Sequence, residues 1–115
     1  MSHYLISFPS SALDWVRDEQ LWAEIERTSR EVIREAKAAG VYVFGGGLDD
    51  TVAPVRIAAD GAVSTDLYRE TRLLDGGFCV LDLPTREAAE EWAAKLAAGC
   101  HCDQELRPFH DDPES

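Results

Sequence analysis

The order of apolar segments predicts a single α+β domain of ferredoxin-like topology: β-α-β, a hairpin insert, then β-α-β, with both helices on one face of an antiparallel sheet. Two observations carry that prediction. Two segments repeat apolar residues at helical spacing between short β-prone runs, and an Asp60-Gly61 turn signal sits in the middle of the chain, away from both. At 115 residues and 45% hydrophobic content, the chain is long enough for one core without disulfide staples.

Residues 3–8 (HYLISF) are apolar and β-prone, and Pro9-Ser10-Ser11 closes them because proline cannot continue a ladder. This is the first strand. From Leu21 onward Leu21, Trp22, Ile25, Val32, Ile33 and Ala36 recur at helical spacing, charges fill the other face, and Gly40 supplies the stop. The first helix is therefore expected over residues 18–39. Residues 41–44 (VYVF) form the second strand and run into Gly45-Gly46-Gly47, read as a bulge or tight strand end, since no helix follows to make a phosphate cradle. Residues 52–58 are expected as a third strand that turns at Asp60-Gly61 and pairs with residues 62–65. Residues 77–83 (GFCVLDL) form a strongly apolar strand. Thr85 then caps the second helix, Glu87 sits in its favourable first turn, and Ala88, Ala89, Trp92, Ala93 and Leu96 share a face up to a stop at Gly99. Trp15, Trp22 and Trp92 fit helix faces, and most of them are expected in the core. A last strand over residues 103–109 completes a domain spanning residues 1–109, and residues 110–115 form an acidic tail expected to fray.

The first strand carries Tyr4, Leu5, Ile6 and Phe8, and the 77–83 strand carries Phe78, Val80 and Leu81, so neither alternates cleanly between core and water. With both helices on one face, the other face needs a cover. Two such sheets packed face to face predict a homodimer.

With 22 acidic residues against 11 basic ones the net charge is −11, which repels a phosphate backbone and makes nucleic acid an improbable partner. No segment reaches the apolar length of a membrane span and the first residues lack a signal pattern, so a cytoplasmic location is expected. Three cysteines, Cys79, Cys100 and Cys102, leave one odd and argue against a secreted disulfide framework.

The stretch over residues 60–78 (DGAVSTDLYRETRLLDGGF) places a carboxylate, a hydroxyl and a guanidinium on an irregular connection between strands. Such loops are where small domains carry function. Asp66 is the first choice for proton transfer, because a carboxylate near a cleft can serve as a general base; the alternative is that it caps a turn. Thr71 and Arg72 are candidate ligand contacts, Arg72 by a bidentate grip on a carboxylate or, alternatively, in a pair with an acidic side chain. Cys100-His101-Cys102 is too tightly spaced for a structural zinc site, and Cys79 reads as a small buried hydrophobe, so neither metal nor cofactor is expected.

Read in order, the YLI opening, Ala38-Ala39-Gly40-Val41, Gly45 to Leu48, Asp60-Gly61, Thr65-Asp66, Glu70-Thr71 and Gly76-Gly77-Phe78 resemble the YCII-related proteins. Glu90-Glu91-Trp92-Ala93 and the closing Glu105-Leu106-Arg107-Pro108-Phe109 extend the likeness over nearly the whole chain, specifically to the subfamily named for its DGPF motif. That resemblance implies a dimeric α/β barrel and supports Asp66 as a site residue. The motif itself is degenerate here, since Leu67-Tyr68-Arg69 follow Asp66. Where the wider group carries a helix-one histidine suggested to act with an aspartate, this chain has Ser29, eleven residues before Gly40, which becomes a candidate substrate contact. The resulting expectation is a homodimeric domain that binds a small organic molecule through Asp66, Ser29, Thr71 and Arg72. The alternatives are a non-catalytic dimerisation or regulatory module, favoured by the absent histidine, and a cofactor-independent isomerase or lyase with Asp66 as base.

Overall fold

In the computed structural model, which describes residues Met1 to Ser115, the elements run β1 (Ser2–Phe8), α1 (Glu19–Ala38), β2 (Tyr42–Gly47), β3 (Arg56–Ile57), β4 (Val63–Ser64), β5 (Gly77–Leu83), α2 (Arg86–Cys100) and β6 (Glu105–Pro108). The four long strands form one antiparallel sheet in the order β2-β5-β1-β6, and β3 pairs only with β4. This is the ferredoxin-like α+β order, with the two helices lying over one sheet face. No helix is long and apolar enough to cross a membrane.

The helix ends follow from local chemistry. The Asp18 carboxylate accepts the Leu21 N–H at 2.7 Å, and the Thr85 hydroxyl accepts the Ala88 N–H at 3.1 Å, so each helix starts on a side-chain cap. α1 ends where expected. Gly40 adopts φ 74°, Val41 N–H reaches Ala36 C=O and Gly40 N–H reaches Lys37 C=O, the paired bonds of a Schellman stop.

The core lies between helices and sheet. Tyr4 and Ile6 of β1, Cys79, Leu81 and Leu83 of β5, Ala36 of α1 and Ala89 and Leu96 of α2 form one buried cluster. Because side chains alternate along a strand, the other sheet face receives His3, Leu5 and Ser7 from β1 and Phe78, Val80 and Asp82 from β5. On the neighbouring strand Phe44 pairs with Val80 on this face and stands 69% exposed. His3 Nδ1 and Asp82 Oδ1 meet at 3.2 Å near one edge, where the tail is also tied back by the Ser2 hydroxyl donating to Asp111.

Three expectations are corrected. The strand expected over residues 52–58 shrinks to Arg56–Ile57, because Pro54 has no N–H to give a ladder. α2 passes through Gly99 to Cys100, and the left-handed residue at its end is His101, at φ 58°. Gly99 instead serves contact between helices: a Cβ there would lie 2.9 Å from Val32 Cγ2 and 3.0 Å from Thr28 O. Trp15 and Trp22 are exposed, the first in the turn before α1 and the second off the Ile25–Ala36 line that is buried. The glycine triplet forms the end of β2, one of the two readings expected for it, and the register irregularity lies just before it, between Tyr42 and Phe44.

Little of the molecule is buried. Only 13 of 115 residues are, and the accessible surface is 8204 Å². A closed monomer of this mass exposes roughly 6,200 Å². The radius of gyration, 15.7 Å, likewise exceeds the value of roughly 13 Å for a compact chain of this length.

Candidate functional site

Between β2 and β5 the chain leaves the sheet over residues 48–76. It departs and returns at cross-strand partners, Gly47 and Gly77, and the neck is closed by Leu48 N–H donating to Gly76 C=O at 2.9 Å. Two legs of this excursion, residues 48–56 and 67–75, form the walls of a groove of about 580 Å³. Leu48, Val52, Pro54, Val55, Leu67 and Leu74 give it an apolar lining; Arg56, Tyr68, Thr71 and Arg72 give it polar groups, and Asp49, Asp50 and Asp75 add three carboxylates.

Short-range bonds hold the walls. The Asp49 carboxylate accepts both the Thr51 N–H and hydroxyl, at 2.9 and 2.6 Å, and these bonds hold its pKa below the usual carboxylate value. Leu74 N–H donates to Thr71 C=O at 2.9 Å, keeping the second wall in tight turns. At the base, Asp75 accepts the Ser10 hydroxyl at 2.6 Å and the Ser10 N–H at 2.9 Å, which likewise lowers its pKa. Gly76 permits that clasp: its missing Cβ would stand 2.2 Å from Phe8 O and 2.8 Å from Ser10 N.

The two groove arginines differ. Arg56 is held on two sides, its guanidinium 5.4 Å from the Tyr68 ring centroid and 3.7 Å from Asp66 Oδ2. Arg72 has no carboxylate within ion-pair distance, although the chain carries 22 acidic residues. A planar donor fork without a counterion beside apolar walls can receive a carboxylate or another flat anion.

Thr71 and Arg72 thus lie on one groove. Asp66 is outside its lining, with its side chain 87% exposed, and reaches the groove only through Arg56. Ser29 is elsewhere: its hydroxyl donates to Glu26 C=O at 3.1 Å, and it lies beside Gly99 where the helices meet. Sequence reasoning missed Arg56, which fell inside the expected strand, and Tyr68, which stands where the degenerate motif departs. It also missed the first wall and the Ser10 to Asp75 clasp, which joins residues far apart in the chain.

Burial pushes the Cys79 and Cys100 thiols up to about 11 and raises Cys102 as well, which keeps all three in the thiol form at neutral pH. No group of three or more His, Cys, Asp or Glu side chains is placed to hold a metal ion. No family model and no curated protein matches the chain.

Proposed function

We propose that the chain is a homodimeric, small-molecule-binding domain of the YCII-related type whose ligand site is the groove between residues 48–56 and 67–75. The observation that carries this is Arg72: a guanidinium without an ion-pair partner on a largely apolar groove, although Asp49, Asp50 and Asp75 line the same groove and Asp49 and Asp75 are held by Thr51 and Ser10 instead. The ligand class follows as a small organic carboxylate with an apolar body, gripped by Arg72, flanked by Thr71 and bounded by Arg56. Asp66 acts as a positioning residue that holds Arg56 against Tyr68. The groove volume lies within the range of small-molecule sites. The unburied surface supports the dimer, and three unpaired thiols fit a reducing cytoplasm.

A thermal-shift panel of aromatic and aliphatic carboxylates tests the reading. A ligand that binds only the folded chain raises the melting midpoint, so at least one carboxylate should do so in the wild type and lose its effect in Arg72→Ala. Because Arg72 is exposed, the unliganded midpoint of the variant should stay close to wild type. A panel without any shift, or a shift that survives Arg72→Ala, contradicts the assignment.

A further inference from the structure

The β3–β4 hairpin is well formed yet supported by almost nothing in its own chain. It has one apolar cross-strand pair, Ile57 opposite Val63, and each of the two is 65% exposed. Neither strand packs substantially on a helix or on the main sheet. A two-stranded ribbon of this size is at best marginally stable in water by itself, so an apolar pair at its centre needs a surface to lie against. Val52 and Val55, on the leg that leads into it, are exposed too.

The chain's own sheet does not provide that surface. The molecule measures 43 × 42 × 19 Å, and a thickness of 19 Å holds the sheet and the helix layer with no third layer over the open face. That face meanwhile presents an exposed Phe44 beside the half-buried Leu5, Phe78 and Val80, with the C-terminal tail reaching it only near Val80.

We infer that the hairpin is a docking arm that seats Ile57 and Val63 on the open sheet face of a second copy of this chain. The inference rests on the homodimer proposed above and assigns the part of each chain that reaches across. Three observations select a second copy as the occupant. The excess exposed surface of roughly 2,000 Å² is ample for the 800 Å² or so that each partner buries in a standard interface. The arm and the Leu5, Phe44, Phe78 and Val80 patch are both apolar, in contrast to Glu105 and Arg107 at the β6 side of the face, and both are present once per chain, so a two-fold axis uses each of them twice and leaves neither over. The acidic tail shares a pocket with His3 and Val80 but not with Phe44, so it borders the patch at Val80 and leaves the outer strand β2, where Phe44 stands 69% exposed, outside that pocket. Since β3 begins at Arg56, a docked arm would also fix the groove wall that carries this residue.

A double-mutant cycle on the dimer dissociation constant, read by sedimentation equilibrium, tests the contact. The arm variant Ile57→Ser with Val63→Ser and the face variant Phe44→Ser should each weaken the wild-type dimer about a hundredfold, since every lost contact occurs twice. Their combination should weaken it by at least about tenfold less than the product of the two, which is the mark of residues in contact. A multiplicative combination, or an arm variant that dimerises like wild type, overturns the arm and leaves the homodimer standing. A wild-type chain that is monomeric overturns both. Hydrogen exchange on the wild type needs no variant: the Gly61 and Ala58 amides of the hairpin should be protected above the dissociation constant and lose protection on dilution. Protection that does not depend on concentration contradicts the arm.

Discussion

Gly76 shows how one absent side chain organises the loop. An added Cβ would meet only backbone there, Phe8 O at 2.2 Å, Pro9 C at 2.7 Å and Ser10 N at 2.8 Å, and backbone cannot rotate aside. The close approach sets Asp75 against Ser10, and that clasp anchors the second groove wall to the end of β1. Gly46, in β2, faces open space. Gly76→Ala should therefore cost about 3 kcal/mol or more, at the upper end of overpacking, while Gly46→Ala costs under about 1 kcal/mol. Urea denaturation of the two variants reads the difference, and equal small losses would show that the β1 corner yields more easily than this packing requires.

At the scale of elements, α2 separates two roles that a glycine near a helix end can play. Gly99 lies inside the helix, where Thr28 and Val32 of α1 close on its backbone, and His101 takes the left-handed position that a glycine would occupy without strain. His101→Gly should raise stability by ~0.5–1 kcal/mol, the relief of the left-handed strain less the added freedom of the unfolded chain. Gly99→Ala should lower stability by about 1–3 kcal/mol through overpacking against α1. Thermal melts of both variants should move in opposite directions, and a stabilising Gly99→Ala would restore the simple stop at that position.

The same helix shows why much of the fold is legible in the sequence. The Thr85 cap, the Gly40 stop and the strand over residues 77–83 depend on neighbours a few positions away, and each stands where the local rule puts it; the in-and-out burial along that strand is hidden in the sequence because both of its faces carry apolar residues. The β-prone residues around Pro54 overstate the third strand, and nothing local to Gly99 announces its contact across 67 or more positions to Val32 and Thr28. The candidate site was half legible for the same reason. Thr71 and Arg72 announce themselves as polar groups on a loop, whereas the opposite wall and the Ser10 clasp exist only once the strands bring distant segments together.

For the whole molecule, the account depends on surface. An exposed area of 8204 Å², an apolar patch on the open sheet face and a hairpin with little support of its own are the observations that support the proposed dimer. The groove belongs to the same excursion as that hairpin, so ligand binding and assembly should be coupled, with the dimer presenting the more rigid site. The most direct measurement is the mass in solution by light scattering at micromolar concentration. The account predicts a value close to twice the 12.7 kDa chain, maintained on moderate dilution. A stable 12.7 kDa species that keeps its fold with the Leu5, Phe44, Phe78 and Val80 face open to water would contradict it.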